Sequence, residues 1–284
     1  MNMLNKLNDD LIERALEEDL GDGDHTSLAC IPPDSKGSMH LLVKQKGIIA
    51  GIDIAEHIFK KLDEEVIFIK KISDGVEVSP GDIAFQVSGK VLTLLQAERL
   101  VLNIMQRMSG IATQTNRYVG ELNGLKTKVL DTRKTAPGMR ILDKAAVKIG
   151  GGENHRIGLY DMILIKDNHI DFAGGIKKAV DRTKNYLALH KKNLKIEIEA
   201  RSINDIKIIL DLEGIDTILL DNFSIEDTEK AVKLVAGKCK TESSGGIELS
   251  NIRKYAVCGV DYISVGALTH HIQSLDLSLK AISS

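Results

Sequence analysis

Residues 194–222, LKIEIEARSINDIKIILDLEGIDTILLDN, contain two short apolar stretches on either side of a helical pattern. The first stretch ends near Glu199 and the second ends at Asp221. Between them, INDIKIILDLEG repeats its apolar residues at the spacing of one helix face. A strand, a helix and a second strand in this order form a parallel βαβ unit. The stretch therefore predicts a parallel sheet whose strands end in acidic side chains.

The same alternation extends over the carboxyl-terminal half of the chain. Apolar stretches that end in polar residues occur in KVLDTRKT (128–135), DMILIKDNH (161–169), LKIEIEAR (194–201), DTILLDN (216–222), KCKTESSGG (238–246) and DYISVGALT (261–269). Residues 125–270 are too few for a complete eight-stranded α/β barrel, which takes about 250 residues. We therefore predict an α/β fold with a reduced barrel of about six strands.

The amino-terminal half has a different, mixed pattern. Strands are predicted in LLVKQKGIIAG (41–51), EEVIFIKKI (64–72) and SDGVEVSPGDIAFQVSG (73–89), and a helix in AEHIFKKLD (55–63). A long amphipathic helix then begins near Leu94, and Gly110 is predicted to bend or end it. We predict an α+β domain with the long helix over 1–112, a catalytic barrel over 113–270, and a tail over 271–284 that packs back on the first domain.

Composition excludes several classes of protein. The chain has 284 residues, of which 43% are hydrophobic and 27% charged, as in ordinary globular proteins. Its 38 basic and 40 acidic residues give a net charge of −2, which argues against nucleic acid or an anionic membrane as partner. The start of the chain lacks a signal-peptide pattern. Cys30, Cys239 and Cys258 are too dispersed for a disulfide framework, so we expect a cytoplasmic protein with three buried thiols.

Reactive groups of α/β barrels lie at the carboxyl ends of the strands. In this chain those positions hold Asp131, Lys166, Glu199, Asp221, Glu242 and Ser264. Cations come from three segments of the same half: Arg133, Lys134, His155, Arg156 and Lys166. Their convergence predicts a ligand with several carboxylates or phosphates, the alternative being a salt-bridged rim. Lys166 suits a Schiff-base nucleophile as well as an anion-binding ammonium, and the neighbouring cations favour the ammonium.

Acidic and glycine-rich segments complete the candidate site. Glu199 and Asp221 suit Mg²⁺, ribose hydroxyls or a developing cation, while Glu197 or Glu199 could instead be a buried structural acid. SSGG at 243–246 and SVGA at 264–267 each follow a strand and precede a helix. Such turns bind phosphate through backbone N–H groups, although a tight turn explains either one alone.

Seven motifs together resemble one family. QRMSGIAT (106–113), DTRKTAPGMR (131–140), GGGENHRIGLYDMILIKDNH (150–169), IEIEA (196–200), ILLDN (218–222), ESSGGI (242–247) and ISVGALTH (263–270) closely resemble the quinolinate phosphoribosyltransferases. The resemblance covers nearly the whole chain. It implies an α+β open-faced sandwich domain before the reduced barrel, a homodimer or homohexamer, and Mg²⁺. The implied reaction joins quinolinate and 5-phosphoribosyl 1-diphosphate, giving nicotinate mononucleotide, diphosphate and CO₂ for NAD biosynthesis.

The resemblance also implies roles for individual residues. The dicarboxylate pocket falls on Arg107, Arg133, His155, Arg156 and Lys166, with Thr132 and Lys134 beside it. The ribose, Mg²⁺ and diphosphate side falls on Lys134, Glu199 and Asp221, with Glu199 and Asp221 as the metal ligands. The 5-phosphate falls on Ser244, Gly245, Gly246 and Gly266. Three further residues are implied to bind substrate: Ser243, Ser264 and Ala267. Lys134, Lys166, Glu199 and Asp221 are the implied catalytic residues.

The resemblance has three further implications. Arg107 is implied to enter the active site of a neighbouring subunit, the alternatives being a surface arginine or an intrachain salt bridge. His271 departs from the family pattern, which has a small polar residue there. Lys166 and His155 both remain candidates for protonating the ring carbanion.

Two other functions are compatible with parts of this pattern. A related pyrophosphorylase-like protein of molybdenum transport would share the phosphoribosyl side but lack the full dicarboxylate pocket. An anion-binding sensor without turnover would have no need for Glu199 and Asp221 beside phosphate. The presence of both sets of residues favours the transferase.

Overall fold

The computed structural model describes residues 3–282. Its helices are α1 (Met3–Leu20), α2 (His25–Cys30), α3 (Ile52–Leu62), α4 (Val91–Glu121), α5 (Arg140–Ile149), α6 (Asp167–Ala173), α7 (Ile176–Leu189), α8 (Ile203–Leu210), α9 (Ile225–Val235), α10 (Ile252–Val257) and α11 (Ala267–His270). Its strands are β1 (Lys36–Val43), β2 (Gly47–Ile48), β3 (Ile67–Lys70), β4 (Glu77–Val78), β5 (Ile83–Lys90), β6 (Lys128–Leu130), β7 (Ile163–Ile165), β8 (Ile196–Ala200), β9 (Thr217–Asp221), β10 (Lys240–Ser244), β11 (Tyr262–Ser264) and β12 (Leu277–Ala281).

The chain forms two compact units, each built from separate segments. The first consists of the chain up to Asn116, Thr135–Gly151, and the chain from Leu268 on; the second consists of Arg117–Lys134 and Gly152–Ala267. The strand pattern predicts that residues 135–151 belong to the barrel, whereas the structure places them in the first unit. The physical reason is that α5, within this segment, packs against α1.

The first unit contains an antiparallel sheet with the order β12-β1-β5-β3. Met39, Leu41 and Val43 of β1 are buried while alternate residues are more exposed, so one face of the sheet covers the core. Phe59 of α3 packs edge-on against Phe85 of β5, with ring centroids 6.2 Å apart. The predicted α+β amino-terminal domain is confirmed.

Helix α4 continues through Gly110 to residue 121, so of the two predicted effects of Gly110, a bend or an end of the helix, the end is excluded. A Cβ atom at position 110 would lie 3.0 Å from the carbonyl carbon of Gln273 and 3.1 Å from Cα of Ser274. The glycine therefore permits close approach of the tail backbone to the helix. Beyond this contact the tail forms β12, which pairs with β1 in the register Leu279 to Leu41.

The second unit contains a parallel sheet with the order β6-β11-β10-β9-β8-β7. Every residue of β8 is buried, as expected for a strand covered on both faces. Ser202 and Ser224 cap helices α8 and α9, because each side chain accepts a hydrogen bond from a backbone N–H in the first turn. All six predicted barrel strands are confirmed. Backbone pairing in residues 3–282 does not join β7 to β6, so the sheet is not closed by hydrogen bonds.

The predicted burial of the thiols is wrong. Cys30 is exposed, and Cys239 and Cys258 are half-buried; none of the three forms a disulfide. Cys30 ends a six-residue helix in which Ser27 is the buried residue, so the apolar pattern around Cys30 does not mark a core position. In the described part of the chain, no helix is long and apolar enough to span a bilayer.

Candidate active site

Polar side chains collect at the carboxyl edge of the parallel sheet in the second unit. Asp131 follows β6, Lys166 follows β7, and Asp221 and Ser244 end β9 and β10. Asp221 and Ser244 are direct partners in the parallel ladder, which places these two strand ends side by side. The sheet therefore brings most of the predicted strand-end residues to one edge, as its parallel topology requires.

Three cations at this edge are incompletely neutralised. Arg156 is 9% exposed, and burial, followed by the positive charge of Arg133, lowers the pKa of its guanidinium. The buried Nε of Arg133 has no hydrogen-bond partner in the described part of the chain. The Nζ atom of Lys166 lies 3.9 Å from Oε2 of Glu199. Like charges that are close and partly desolvated favour an anion as their common partner.

Lys166 and Lys134 are the more accessible cations. The side chain of Lys166 is 52% exposed, and its ion pair with Glu199 favours the ammonium over the Schiff-base interpretation. Lys134 is exposed in the turn after β6, where its backbone N–H donates to Oγ1 of Thr132 at 3.1 Å. Both ammonium groups are placed to contact a ligand from the solvent side.

His155 points into the sheet interior, away from the exposed side of this edge. Its Nε2 lies 2.9 Å from Oε2 of Glu197 and 3.5 Å from Oε2 of Glu242. Its Nδ1 accepts a hydrogen bond from the backbone N–H of Arg156 at 2.8 Å, and its own backbone N–H donates to Oδ1 of Asp131 at 2.9 Å. Because both ring nitrogens are engaged, the structure makes His155 a link between Arg156 and the buried acids.

Glu197 and Glu242 form a buried acid pair beneath the site. Burial, followed by the negative charge of Glu197, raises the pKa of Glu242 to about 8. Burial raises the pKa of Glu197 to about 7. Oε1 of each side chain has no hydrogen-bond partner in the described part of the chain. The pair therefore retains protons near neutral pH, and the interpretation of Glu197 as a structural buried acid is favoured.

Replacement of Glu242 should change how stability depends on pH. A carboxyl whose pKa is raised by folding stabilises the protein most at low pH, and this contribution is lost as pH rises from about 4.5 towards 8. Glu242→Gln keeps an uncharged side chain of the same shape. We expect the thermal unfolding midpoint to fall less between about pH 5.5 and 8.5 in this variant than in the wild type. This assignment would be contradicted if the midpoint fell equally in the variant and the wild type. It would also be contradicted if the exposed control Glu213→Gln reduced the fall as much as Glu242→Gln.

Glu199 and Asp221 have the chemistry of a divalent-cation site. Glu199 is 5% exposed, and burial, followed by the negative charge of Asp221, raises the pKa of its carboxyl. Oε2 of Glu199 has no hydrogen-bond partner within residues 3–282. Two neighbouring carboxylates, one with an unsatisfied buried oxygen, fit Mg²⁺, which prefers oxygen ligands. Ligand atoms of His155, Glu197 and Glu242 also lie within 4.8 Å of one another, but the histidine already bonds the acids.

The turn after β10 has the conformation expected of a phosphate site. Gly245 and Gly246 have φ angles of +91° and +61°, which favour glycine. Ser244 is half-buried beside them. Ser243 alternates with Ser244 along the strand and is buried on the other face, where its Oγ has no hydrogen-bond partner in the described part of the chain. Ser264 is buried, and Gly266 and Ala267 are half-buried at the start of α11.

Arg107 belongs to the first unit and forms an intrachain ion pair. Its Nε and Nη2 donate to the two carboxylate oxygens of Asp143 at 2.8 and 2.7 Å, and Nη2 also donates to the carbonyl of Thr269 at 3.2 Å. Asp143 is completely buried. Sequence analysis missed this acid, although an aspartate between Leu142 and Ala146 on an apolar helix face was a detectable signal. Within residues 3–282, the hydrogen bonds of Arg107 engage Nε and Nη2 but not Nη1.

The fold and the charged edge of its parallel sheet define an α/β protein suited to anionic ligands. The family model for the quinolinate phosphoribosyl transferase N-terminal domain matches residues 24–109, and that for the C-terminal domain matches residues 111–280. The chain therefore belongs to the quinolinate phosphoribosyltransferase family.

Individual relatives agree with this assignment. Quinolinate phosphoribosyltransferase (decarboxylating) 1b of Nicotiana tabacum is 44% identical over 285 residues, covering 95% of this chain and 81% of that protein. The probable nicotinate-nucleotide pyrophosphorylase (carboxylating) of Bacillus subtilis is 41% identical and covers 95% and 91%. The structure of NadC from Streptococcus pyogenes is 35% identical with a TM-score of 0.92, and the match covers 100% of both chains.

Proposed function

We propose that this chain transfers the phosphoribosyl group of 5-phosphoribosyl 1-diphosphate to quinolinate, with loss of CO₂, in NAD biosynthesis. The observation that carries the proposal is the adjacency of incompletely neutralised cations and two carboxylates at one sheet edge. Lys166, which pairs with Glu199, is the point where the two sets meet. A substrate with two carboxylates and a substrate with a developing sugar cation require these opposite charges side by side.

On the basic side, Arg133, Arg156 and Lys166 bind the two carboxylates of quinolinate. Arg156 is held in place because its backbone N–H bonds the buried ring of His155. Guanidinium groups bind carboxylates through paired hydrogen bonds, which fixes the plane of the pyridine ring as well as its charge. The ring nitrogen is thereby oriented towards the sugar.

On the acidic side, Glu199 and Asp221 stabilise the cation that develops on the sugar as diphosphate leaves, and they are the residues that would hold Mg²⁺. Mg²⁺ held by these two carboxylates would supply positive charge to offset the negative charge of the diphosphate. The turn of Ser244, Gly245 and Gly246 binds the 5-phosphate through its backbone N–H groups. Lys134 contacts the diphosphate from the exposed turn after β6.

Attack by the ring nitrogen on the anomeric carbon places a positive charge on the ring. This charge accepts the electron pair released when the adjacent carboxylate leaves as CO₂, and the ring carbon is then protonated. Lys166 is the better proton donor, because its Nζ is accessible whereas both ring nitrogens of His155 are engaged. No separate cofactor is needed for the decarboxylation.

We also propose a cytoplasmic homo-oligomer in which Arg107 reaches the active site of a neighbouring subunit. The ion pair with Asp143 fixes two nitrogens of Arg107 and leaves Nη1 for a substrate carboxylate. A guanidinium oriented in this way loses less conformational freedom on binding than a mobile one.

The direct test is to mix the purified protein with Mg²⁺, 5-phosphoribosyl 1-diphosphate and quinolinate labelled at the 2-carboxylate. Release of labelled CO₂ together with nicotinate mononucleotide is expected. Release of neither product, with intact folding, would overturn the proposal. Binding of quinolinate and 5-phosphoribosyl 1-diphosphate without release of either product would identify an anion-binding sensor. The cations of the dicarboxylate pocket argue against the molybdenum-transport alternative.

Nicotinate, which lacks the 2-carboxylate, should be a poor substrate. Its binding leaves cations of the basic side unpaired, and losing a charged hydrogen bond costs about 1.5–3 kcal/mol, or roughly 10–100-fold in kcat/KM. Steady-state rates with each acid at saturating phosphoribosyl diphosphate provide the measurement. Comparable kcat/KM values for the two acids would refute the dicarboxylate pocket.

A further inference from the structure

Asn222 has a backbone conformation that its position does not explain. Its φ angle is +54°, and the other non-glycine residues with positive φ among residues 3–282 are Lys191 and Ala236. Those two follow the carboxyl ends of α7 and α9, where left-handed residues are common. Asn222 instead follows strand β9 directly. Strained backbone at a strand end of this kind occurs at functional sites.

The contacts of Asn222 join two parts of the candidate site. Its backbone N–H donates to the carbonyl of Ser244 at 2.8 Å, and its Nδ2 donates to Oδ2 of Asp221 at 2.8 Å. Its side chain also fills the space beside Gly245: a Cβ atom added to Gly245 would lie 2.6 Å from Cγ of Asn222. The amide thus lies between the carboxylate that ends β9 and the glycine turn that follows β10.

We propose that Asn222 is a positioning residue that holds Asp221 and the turn of residues 244–246 in fixed relation to each other. The proposal rests on the proposed function, in which Asp221 faces the sugar and the turn binds the 5-phosphate. The sugar and the 5-phosphate belong to one substrate molecule. The distance between Asp221 and the turn therefore has to match the covalent distance between these two parts of the substrate. By bonding Oδ2 of Asp221, the amide also fixes the orientation of this carboxylate.

This arrangement predicts a selective kinetic effect. The basic side of the site has no hydrogen bond to Asn222 within the described residues, so quinolinate affinity should not depend on the amide. The KM for phosphoribosyl diphosphate should depend on it, because the groups that bind the sugar and the 5-phosphate of that substrate are aligned through Asn222. If the role of Asn222 were purely structural, its replacement would lower stability without changing the KM for phosphoribosyl diphosphate more than the affinity for quinolinate.

Asn222→Gly is the most informative variant, because glycine accepts the positive φ while the amide is lost. We expect the KM for 5-phosphoribosyl 1-diphosphate to rise roughly tenfold, the effect of losing a charge-assisted hydrogen bond. The dissociation constant of quinolinate, measured by titration calorimetry without the second substrate, should change less than twofold. Ala236→Gly, at a positive-φ residue capping α9, is the matched control and should leave both constants unchanged.

A second variant pair tests the contact with Gly245. Gly245→Ala should raise the same KM strongly, since its methyl group overlaps the Asn222 side chain. In Asn222→Gly/Gly245→Ala the overlapping amide is absent, so part of the loss should be recovered. The φ angle of +91° at Gly245 strains alanine in the single and the double variant alike, so the recovered part measures the overlap with the Asn222 side chain. Asn222→Gly with a wild-type KM would overturn the proposal.

The outcome can be separated from failure of the proposed function. If the wild type binds 5-phosphoribosyl 1-diphosphate with Mg²⁺ but releases no CO₂, the proposed reaction fails while the positioning role is still measured by the affinity for that ligand. In that case an unchanged affinity in Asn222→Gly overturns the positioning role too. A tenfold weaker affinity supports it.

Discussion

Glu199→Gln should lower kcat by roughly 10² or more while quinolinate still binds with nearly wild-type affinity. The buried carboxylate is assigned to the developing sugar cation and to Mg²⁺, so its charge acts in the transition state more than in substrate binding. Glutamine keeps the shape of the side chain, and the uncharged group is tolerated where burial already raises the pKa of the carboxyl. The loss should therefore appear in turnover and not in the folded fraction.

Initial rates and titration calorimetry with quinolinate provide the two measurements. Glu213→Gln, at an exposed acid of the same unit, is the control and should behave as the wild type. Collapse of quinolinate affinity in Glu199→Gln would mean that the acidic and basic sides of the site have been assigned wrongly.

The second large effect concerns Arg107 and Lys166. Arg107→Gln and Lys166→Ala are each expected to be nearly inactive, yet a mixture of the two, dissociated and reassembled, should regain activity. Glutamine is preferred to alanine at position 107 because its amide still offers a donor to the fully buried Asp143, whose unpaired charge would otherwise be costly. In a mixed two-fold dimer with shared sites, one site carries both changes and the other carries neither.

Random pairing makes about half of the dimers mixed, and half of their sites are intact, so about a quarter of wild-type activity is expected. Each variant reassembled with itself is the control and should stay inactive. Mixtures that contain demonstrated heterodimers but remain inactive would show that Arg107 does not serve a neighbouring subunit.

The strands of the second unit could be predicted because their determinants are local. Each is a short apolar stretch with an abrupt polar end, and that pattern placed Asp221 and Ser264 at strand ends without knowledge of their partners. The direction of His155 could not be predicted in this way. Its ring is held by Glu197 and Glu242, which lie 42 and 87 residues further along the chain, and no pattern near residue 155 indicates them.

Gly110 and Asn222 illustrate the same limit. Inside a helical pattern, a glycine predicts a bend or an end of the helix. Only the position of the tail residues Gln273 and Ser274 shows that Gly110 lets their backbone approach the helix closely. The ILLDN motif drew attention to Asp221, whereas the role of Asn222 depends on Gly245 of the next strand. Residues whose partners are distant in sequence are the ones that sequence analysis assigned incompletely.

The pairing of β12 with β1 has a consequence for synthesis of the protein on the ribosome. The buried face of β1 and its edge towards β12 are made early, but the strand that covers this edge contains residues 277–281. At elongation rates of about 5–20 residues per second, this edge of β1 remains unpaired for roughly 10–50 seconds until β12 has been synthesised. An open strand edge is a site for wrong pairing with other nascent chains. The first unit therefore completes this sheet only after β12 has been synthesised, and chaperone binding during the interval should increase the yield.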